Sequence, residues 1–103
     1  MIIRIVKLTF RPEEVPRFIK LFEEVKDTIH SSNGCLNVEL LKGINTKNVF
    51  FTYSHWIDTD SLELYRNSEF FRETWIKTKA LFAEKAEAWS LEKFVNLPDT
   101  ESA

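Results

Sequence analysis

One hundred and three residues leave room for one hydrophobic core, because chains divide into separate domains only at greater lengths. The chain is 44% hydrophobic and 14% aromatic, with nine Phe, three Trp and two Tyr against two Gly and three Pro, which excludes a disordered or low-complexity polymer. Fourteen Lys and Arg against sixteen Asp and Glu leave a formal charge of −2, so no basic footprint for nucleic acid exists.

The opening stretch Met1 to Phe10 is apolar, but Arg4 and Lys7 interrupt it and Pro12-Glu13-Glu14 follows. It therefore reads as neither a signal-peptide core nor a membrane span, and a cytoplasmic protein is expected. Residues 2 to 10 are predicted as a strand with apolar side chains on both parities, Ile2, Val6, Leu8 and Phe10 on one and Ile3 and Ile5 on the other. Such a strand wants cover on both faces. A helix is expected to start at Arg11-Pro12-Glu13-Glu14, with Pro16 still in its first turn. Val15, Phe18, Ile19, Phe22, Val25 and Ile29 then recur at three and four residues, an apolar stripe ending near His30. Asn33 or Gly34 is expected to take a left-handed conformation after it.

Cys35 to Leu41 alternates Leu36, Val38 and Leu40 with Asn37 and Glu39, a half-buried strand. After a polar loop, Val49 to Trp56 is an aromatic and β-branched strand, and the two form an antiparallel hairpin. Asp58 to Ser61 supplies N-caps for a short helix carrying Leu62, Leu64 and Tyr65. Asn67-Ser68 breaks the chain and recaps a second helix with Phe70, Phe71, Trp75 and Ile76 on its broad apolar side. Residues 80 to 88 are ambiguous, Ala88 to Val95 is a last strand, and 98–103 is a loose polar tail. The order strand, helix, strand, strand, helix pair, strand gives an α+β, ferredoxin-like split β-α-β domain over residues 1–97 with an antiparallel sheet. Helices cover one face of that sheet. The aromatic excess calls for a dimer interface or an aromatic pocket, and a second copy of the chain is the simplest cover for the other face.

Three stretches carry a resemblance: Phe51-Thr-Tyr-Ser-His-Trp56, Asp60-Ser-Leu62 and Tyr65-Arg-Asn-Ser-Glu-Phe-Phe71, with Gly34-Cys35 before the second strand. In order and spacing they resemble the antibiotic biosynthesis monooxygenase family of the dimeric α+β barrel superfamily. The resemblance implies a homodimer with its sheets facing each other and a pocket in each subunit between helices and sheet. It implies a cofactor-independent oxygenase, with no metal, for which a small electron-rich aromatic of quinol or anthrone type supplies electrons to O2. A non-catalytic dimeric binding or stress-response protein would use the same pocket, and haem degradation, which the resemblance also implies for some members, is the third reading. The chain departs from the family in places. Trp75 stands where haem-degrading relatives have an axial His, Arg4, Lys7 and Thr9 are what the first strand offers in place of their Asn, and Tyr65 stands where many cofactor-free members have a His.

Candidate catalytic residues are His55, Tyr53 and Trp56. An imidazole suits a general base for a phenolic proton, although a strand-end His satisfied by a loop carbonyl or water would look the same. Trp56 offers an indole donor, and Tyr53 shares the parity of His55. If that parity lines the pocket the two converge; if it lines the dimer barrel they stabilise an interface. Tyr65, Asn67, Phe71 and Trp75 are expected to bind substrate from the helix pair, with Asn67 equally readable as a helix break. The lone Cys35 reads as a buried small residue, and two His with one Cys give no zinc spacing.

Overall fold

Ile2–Thr9 extends as β1, as its β-branched content requires. Arg11 stays extended before Pro12, a 3-10 turn covers Pro12–Glu14, and α1 begins at Val15 and runs to His30. The α-helix thus starts later than the sequence implies. Had it begun at Pro12, the ring of Pro16 would meet the carbonyl four residues back; with the start at Val15, Pro16 sits in the first turn. Phe18 is buried, whereas Ile19 is 43% exposed and lies off the stripe. Glu23 and Lys26 pair on this helix at 2.8 Å, and Arg17 reaches back to Glu14 at its N-cap at 3.4 Å. Gly34, at φ 84°, supplies the left-handed residue, and no other residue type adopts positive φ among the described residues.

The remaining elements are β2 (Cys35–Lys42), β3 (Val49–Trp56), α2 (Thr59–Arg66), α3 (Glu69–Lys79) and β4 (Glu87–Leu91). The computed structural model describes residues 1–95; the tail expected over 98–103 lies outside the described residues. The four strands form one sheet in the order β2-β3-β1-β4, every neighbour antiparallel. This is the ferredoxin-like α+β arrangement, with β3 inserted between the two strands that α1 connects. Strand β4 was expected over 88–95 but ends at Leu91, and Phe94 is 98% exposed. Leu91 pairs with Ile3, so β1 has almost no length left to pair with residues beyond Leu91. No helix of the described residues is long and apolar enough to cross a membrane.

Capping fixes the helix pair. The Ser61 N–H donates to Asp58 Oδ1 at 2.8 Å, and the Phe71 N–H donates to Ser68 Oγ at 3.1 Å. The Ser68 hydroxyl also donates to the Tyr65 carbonyl at 2.7 Å, so one side chain joins α2 to α3. At the other end of the molecule, Arg11 Nη1 and Nη2 donate to the carbonyls of Phe82 and Ala80, at 3.1 and 3.0 Å. Arg11 is also 3.1 Å from Glu14. These contacts tie the start of the α1 segment to the end of α3, a role that sequence reading did not foresee.

Alternation divides the sheet. Leu8, Phe10 and Phe50 are buried under the helices and pack with Phe18 and Leu81 into the core. Phe10 stacks on Phe18 at 4.1 Å and meets Phe82 and Phe50 at 5.5 and 6.0 Å; such aromatic pairs add about 0.5–1.5 kcal/mol each beyond the area they bury. This core fills one end of the layer between helices and sheet. Ile3, Ile5, Phe51, Tyr53, Trp89 and Leu91 have the opposite parity and lie on the face that the helices leave open.

Candidate active site

Away from the phenylalanine core, helices and sheet separate around a cavity of about 340 Å³, at the lower end of the range of about 300–1,000 Å³ typical of small-molecule sites. Strand register sets its floor in rows. Val38, Ser54, Arg4 and Ser90 lie side by side across the sheet, and Leu40, Thr52, Val6 and Ala88 form the next row. Leu8 lies one step further toward the core. The floor therefore grades from polar at the Arg4 row to apolar at Leu8. Helix α1 contributes Phe18, Phe22, Val25 and Ile29 as one wall, and α2 and α3 contribute Leu62, Tyr65, Arg66, Phe71, Thr74, Trp75 and Thr78.

Four sequence-predicted residues meet here. Trp56 is 1% exposed, and its indole Nε1–H donates to Ser54 Oγ at 3.0 Å. Tyr65 packs against Trp56 at 4.9 Å and edge-on against Phe71 at 5.2 Å, and Phe71 stacks on Trp75 at 5.9 Å with 11° between planes. Burial pushes the Tyr65 phenol well above its ordinary range, with a smaller contribution from nearby Cys35. The hydroxyl therefore stays protonated and can donate a hydrogen bond.

Three others lie elsewhere, and of the two placements open to His55 and Tyr53 the structure has the one away from the pocket. His55 and Tyr53 are not in the cavity wall. They have the odd parity of β3, pair with Ile3 and Ile5, and point to the open face, where their rings lie 4.9 Å apart. His55 Nε2 is buried there with no hydrogen-bond partner among the described residues. Asn67 borders a shallow surface depression with Asp60, Glu63 and Leu64, and its Nδ2 donates to the Glu63 carbonyl at 2.8 Å. Its side chain thus caps the end of α2 and does not reach the cavity. Cys35 is partly buried, and burial pushes its thiol up.

Sequence reading missed Arg4 and Arg66 as wall residues. Arg4 had a signal: it shares the parity of Val6 and Leu8, so a charged side chain sits on the inward face of an apolar strand. The cavity wall holds no imidazole and no carboxylate among the described residues. No group of three or more His, Cys, Asp or Glu that could hold a metal ion occurs among them. The arrangement can enclose a flat apolar ring, stack it on aromatic faces and offer donors at one end.

Comparisons with known proteins agree with this architecture. No curated protein matches the chain by sequence. Among solved structures, a conserved protein from Methanosarcina mazei Go1 superposes with a TM-score of 0.84 at 21% identity, covering 90% of this chain and 93% of that one. A Deinococcus radiodurans protein, named as a candidate antibiotic biosynthesis monooxygenase, gives 0.88 at 14% identity over 98% and 100%. SnoaB, a cofactor-independent oxygenase from Streptomyces nogalater, gives 0.80 at 18% identity over 95% and 97%. At these identities the likeness speaks for the fold alone. The family model described as antibiotic biosynthesis monooxygenase matches residues 1–75, from β1 into α3 as far as Trp75, and the chain belongs to that family.

Proposed function

We propose that this protein is a cofactor-independent monooxygenase that oxidises a small electron-rich aromatic hydroxyl compound with O2 in the cavity under the helix pair. The observation that supports this reading is the composition of the wall: stacked aromatic rings around an apolar floor, with neutral and cationic donors at one end. In such chemistry the substrate supplies the electrons. One oxygen atom ends on the ring, and the other leaves as water with two hydrogens of the substrate. The protein's part is to exclude water, hold the ring, and stabilise an oxyanion. Tyr65, the Ser54 hydroxyl and the positive charge of Arg4 are the donors available for that. A phenol held beside a guanidinium ionises more readily, and its proton leaves to solvent as the substrate enters, before water is excluded, without an imidazole.

The test is oxygen consumption with a panel of hydroquinones and hydroxynaphthalenes in the presence of a chelator. Uptake is expected with at least one member and should fall at least tenfold in Thr74→Trp, which fills the cavity. No uptake on any member overturns the reading. The lack of a base in the wall favours one rival, a binding protein that uses the same cavity, and a tightly held co-purifying ligand without oxygen uptake decides for it. Haem fits less well, since no His lines the cavity among the described residues and Trp75 cannot ligate iron; a Soret band after haem titration would reverse this judgement.

The working unit in this proposal is a homodimer. The open sheet face carries Ile5, Tyr53, Leu41, Trp89 and Leu91, the last three 43–46% exposed, beside His55 Nε2, which is buried and without a hydrogen-bond partner among the described residues. Covering that face with a second copy removes apolar area from water and offers the imidazole a partner. Ile5→Glu is expected to elute as a monomer by size-exclusion chromatography with light scattering, and an unchanged dimer would place the interface elsewhere.

A further inference from the structure

Among the described residues two arginines line the cavity, and no carboxylate does. Arg66 shares its charge with Glu63, its Nη1 lying 2.9 Å from Glu63 Oε2. Arg4 has no acidic partner within ion-pair distance among the described residues; its Nη1 donates to the neutral Ser90 Oγ at 2.9 Å. Burial, and then the nearby charge of Arg66, both work against the Arg4 cation, and Glu63 offsets them only in part. A partly buried charge without a counter-ion is costly. The residue is nevertheless placed on the inward parity of β1, in the polar row between Ser54 and Ser90. Glu63, outside the cavity lining, pairs with Arg66, and among the described residues the lining at this end is otherwise donor or neutral, so the wall supplies positive charge here and leaves the rest of the balancing negative charge to the ligand.

We propose that Arg4 and Arg66 form a carboxylate clamp at the polar end of the cavity, and that the ligand is an aromatic acid whose ring lies toward Phe71 and Trp75. The proposal rests on the reading of this cavity as the substrate site. A guanidinium presents two parallel N–H groups that match a carboxylate, and such charge-assisted contacts are the stronger class of hydrogen bond. Arg66 is exposed, and among the described residues it is linked to Glu63 one turn away on its own helix, a contact of small energetic weight, so it can turn from Glu63 to an incoming anion. The graded floor gives the orientation: acid group at the Arg4 row, ring over Val6 and Leu8.

The test is calorimetric binding of 2-naphthoate, 2-naphthamide and 2-naphthol to the intact protein at neutral pH. These probes share a ring and differ in charge and hydroxyl. The naphthoate is expected to bind at least about tenfold more tightly than the amide. Arg4→Gln and Arg66→Gln should each remove most of that preference while changing amide binding less than about twofold, and Arg4→Lys should retain part of it. Arg66→Gln removes only an exposed side chain, so the test survives if Arg4→Gln fails to fold. Equal binding of acid and amide overturns the clamp, as does loss of both to the same extent in the variants, or preference for the naphthol. The outcome is separable from the oxygenase reading. Acid preference with no oxygen uptake on any substrate retains the clamp and sinks the oxygenase, whereas oxygen uptake on neutral quinols without acid preference does the reverse.

Discussion

Gly34 links the backbone to the cavity roof. It follows α1 and precedes β2 with φ at 84°, and its carbonyl accepts the Ile57 N–H at 2.8 Å. A Cβ at this position would fall on the Ser61 side chain and lie 2.9 Å from Ile57 Cγ2. Ser61 belongs to the first turn of α2, where its N–H is held by Asp58, so relief requires α2 to shift, and with it Tyr65 and Arg66. In Gly34→Ala the left-handed backbone costs an L-residue about 1–2 kcal/mol, and the overpacking adds about 1–3 kcal/mol. A total near 3 kcal/mol lowers the urea midpoint by roughly 2 M, for a slope of about 1.5 kcal/mol per M. The assay is urea unfolding followed by far-UV circular dichroism and tryptophan fluorescence, on Gly34→Ala, Ser61→Gly and the double variant. The double variant should recover the packing part and retain the backbone part, giving a favourable coupling of about 1–2 kcal/mol. Stability of Gly34→Ala within about 0.5 kcal/mol of wild type, or strict additivity in the double variant, would refute this account of the junction.

The Tyr65 phenol, pushed up by burial, links stability to alkaline pH. The unfolded phenol ionises near pH ~10 while the folded one holds its proton, so this stability is full below pH ~10 and declines as pH rises toward the folded value. Unfolding free energies measured between neutral and strongly alkaline pH should fall less in Tyr65→Phe than in wild type, and parallel curves would contradict the assignment. Trp56→Phe removes the donor to the buried Ser54 hydroxyl and leaves a small void, with an expected loss of about 2 kcal/mol. Ser54→Ala should cost about 1 kcal/mol, and thermal melts of the double variant should show less than the sum of the two. Ser68→Ala loses the cap of α3 and should lower stability by about 1 kcal/mol, with oxygen uptake or ligand binding reduced through displacement of Phe71 and Trp75.

A site without a resident base shifts the chemical demand onto the ligand. Arg4, placed on the inward parity of a strand, with the protonated Tyr65 and the Trp56–Ser54 pair, makes the polar end of the cavity a receiver of negative charge. In the proposed function such an end would recognise a substrate that ionises readily or arrives already anionic, with its ring against the stacked Phe71 and Trp75. His55, the residue best suited by type to take a proton, is spent on the other face of the sheet.

Much of the architecture was legible from residues alone. The stripe Phe18, Phe22, Val25, Ile29, the alternation of β2, the paired caps Asp58 and Ser68, and Gly34 as the left-handed residue each come from local periodicity or backbone chemistry, which a chain expresses without reference to distant partners. The order of those elements implied the four-stranded sheet, and Trp56, Tyr65, Phe71 and Trp75, candidates by residue type and position, line the cavity. The ends of elements were less legible. The true start of α1 depends on the spacing of Pro12 and Pro16, and the end of β4 on where its partner β1 runs out. The parity of β1 and β3 was illegible for a further reason. Both strands carry apolar side chains on both faces, Phe50 and Trp56 against Phe51 and Tyr53, so hydrophobic pattern cannot tell helix side from open side. Only the register of β1 with β3, fixed when α1 and the helix pair pack on one face, set Arg4 beside Ser54 and turned His55 away from the cavity. The residue types that a cavity of this kind needs were present in the chain; which of them meet was decided by long-range packing.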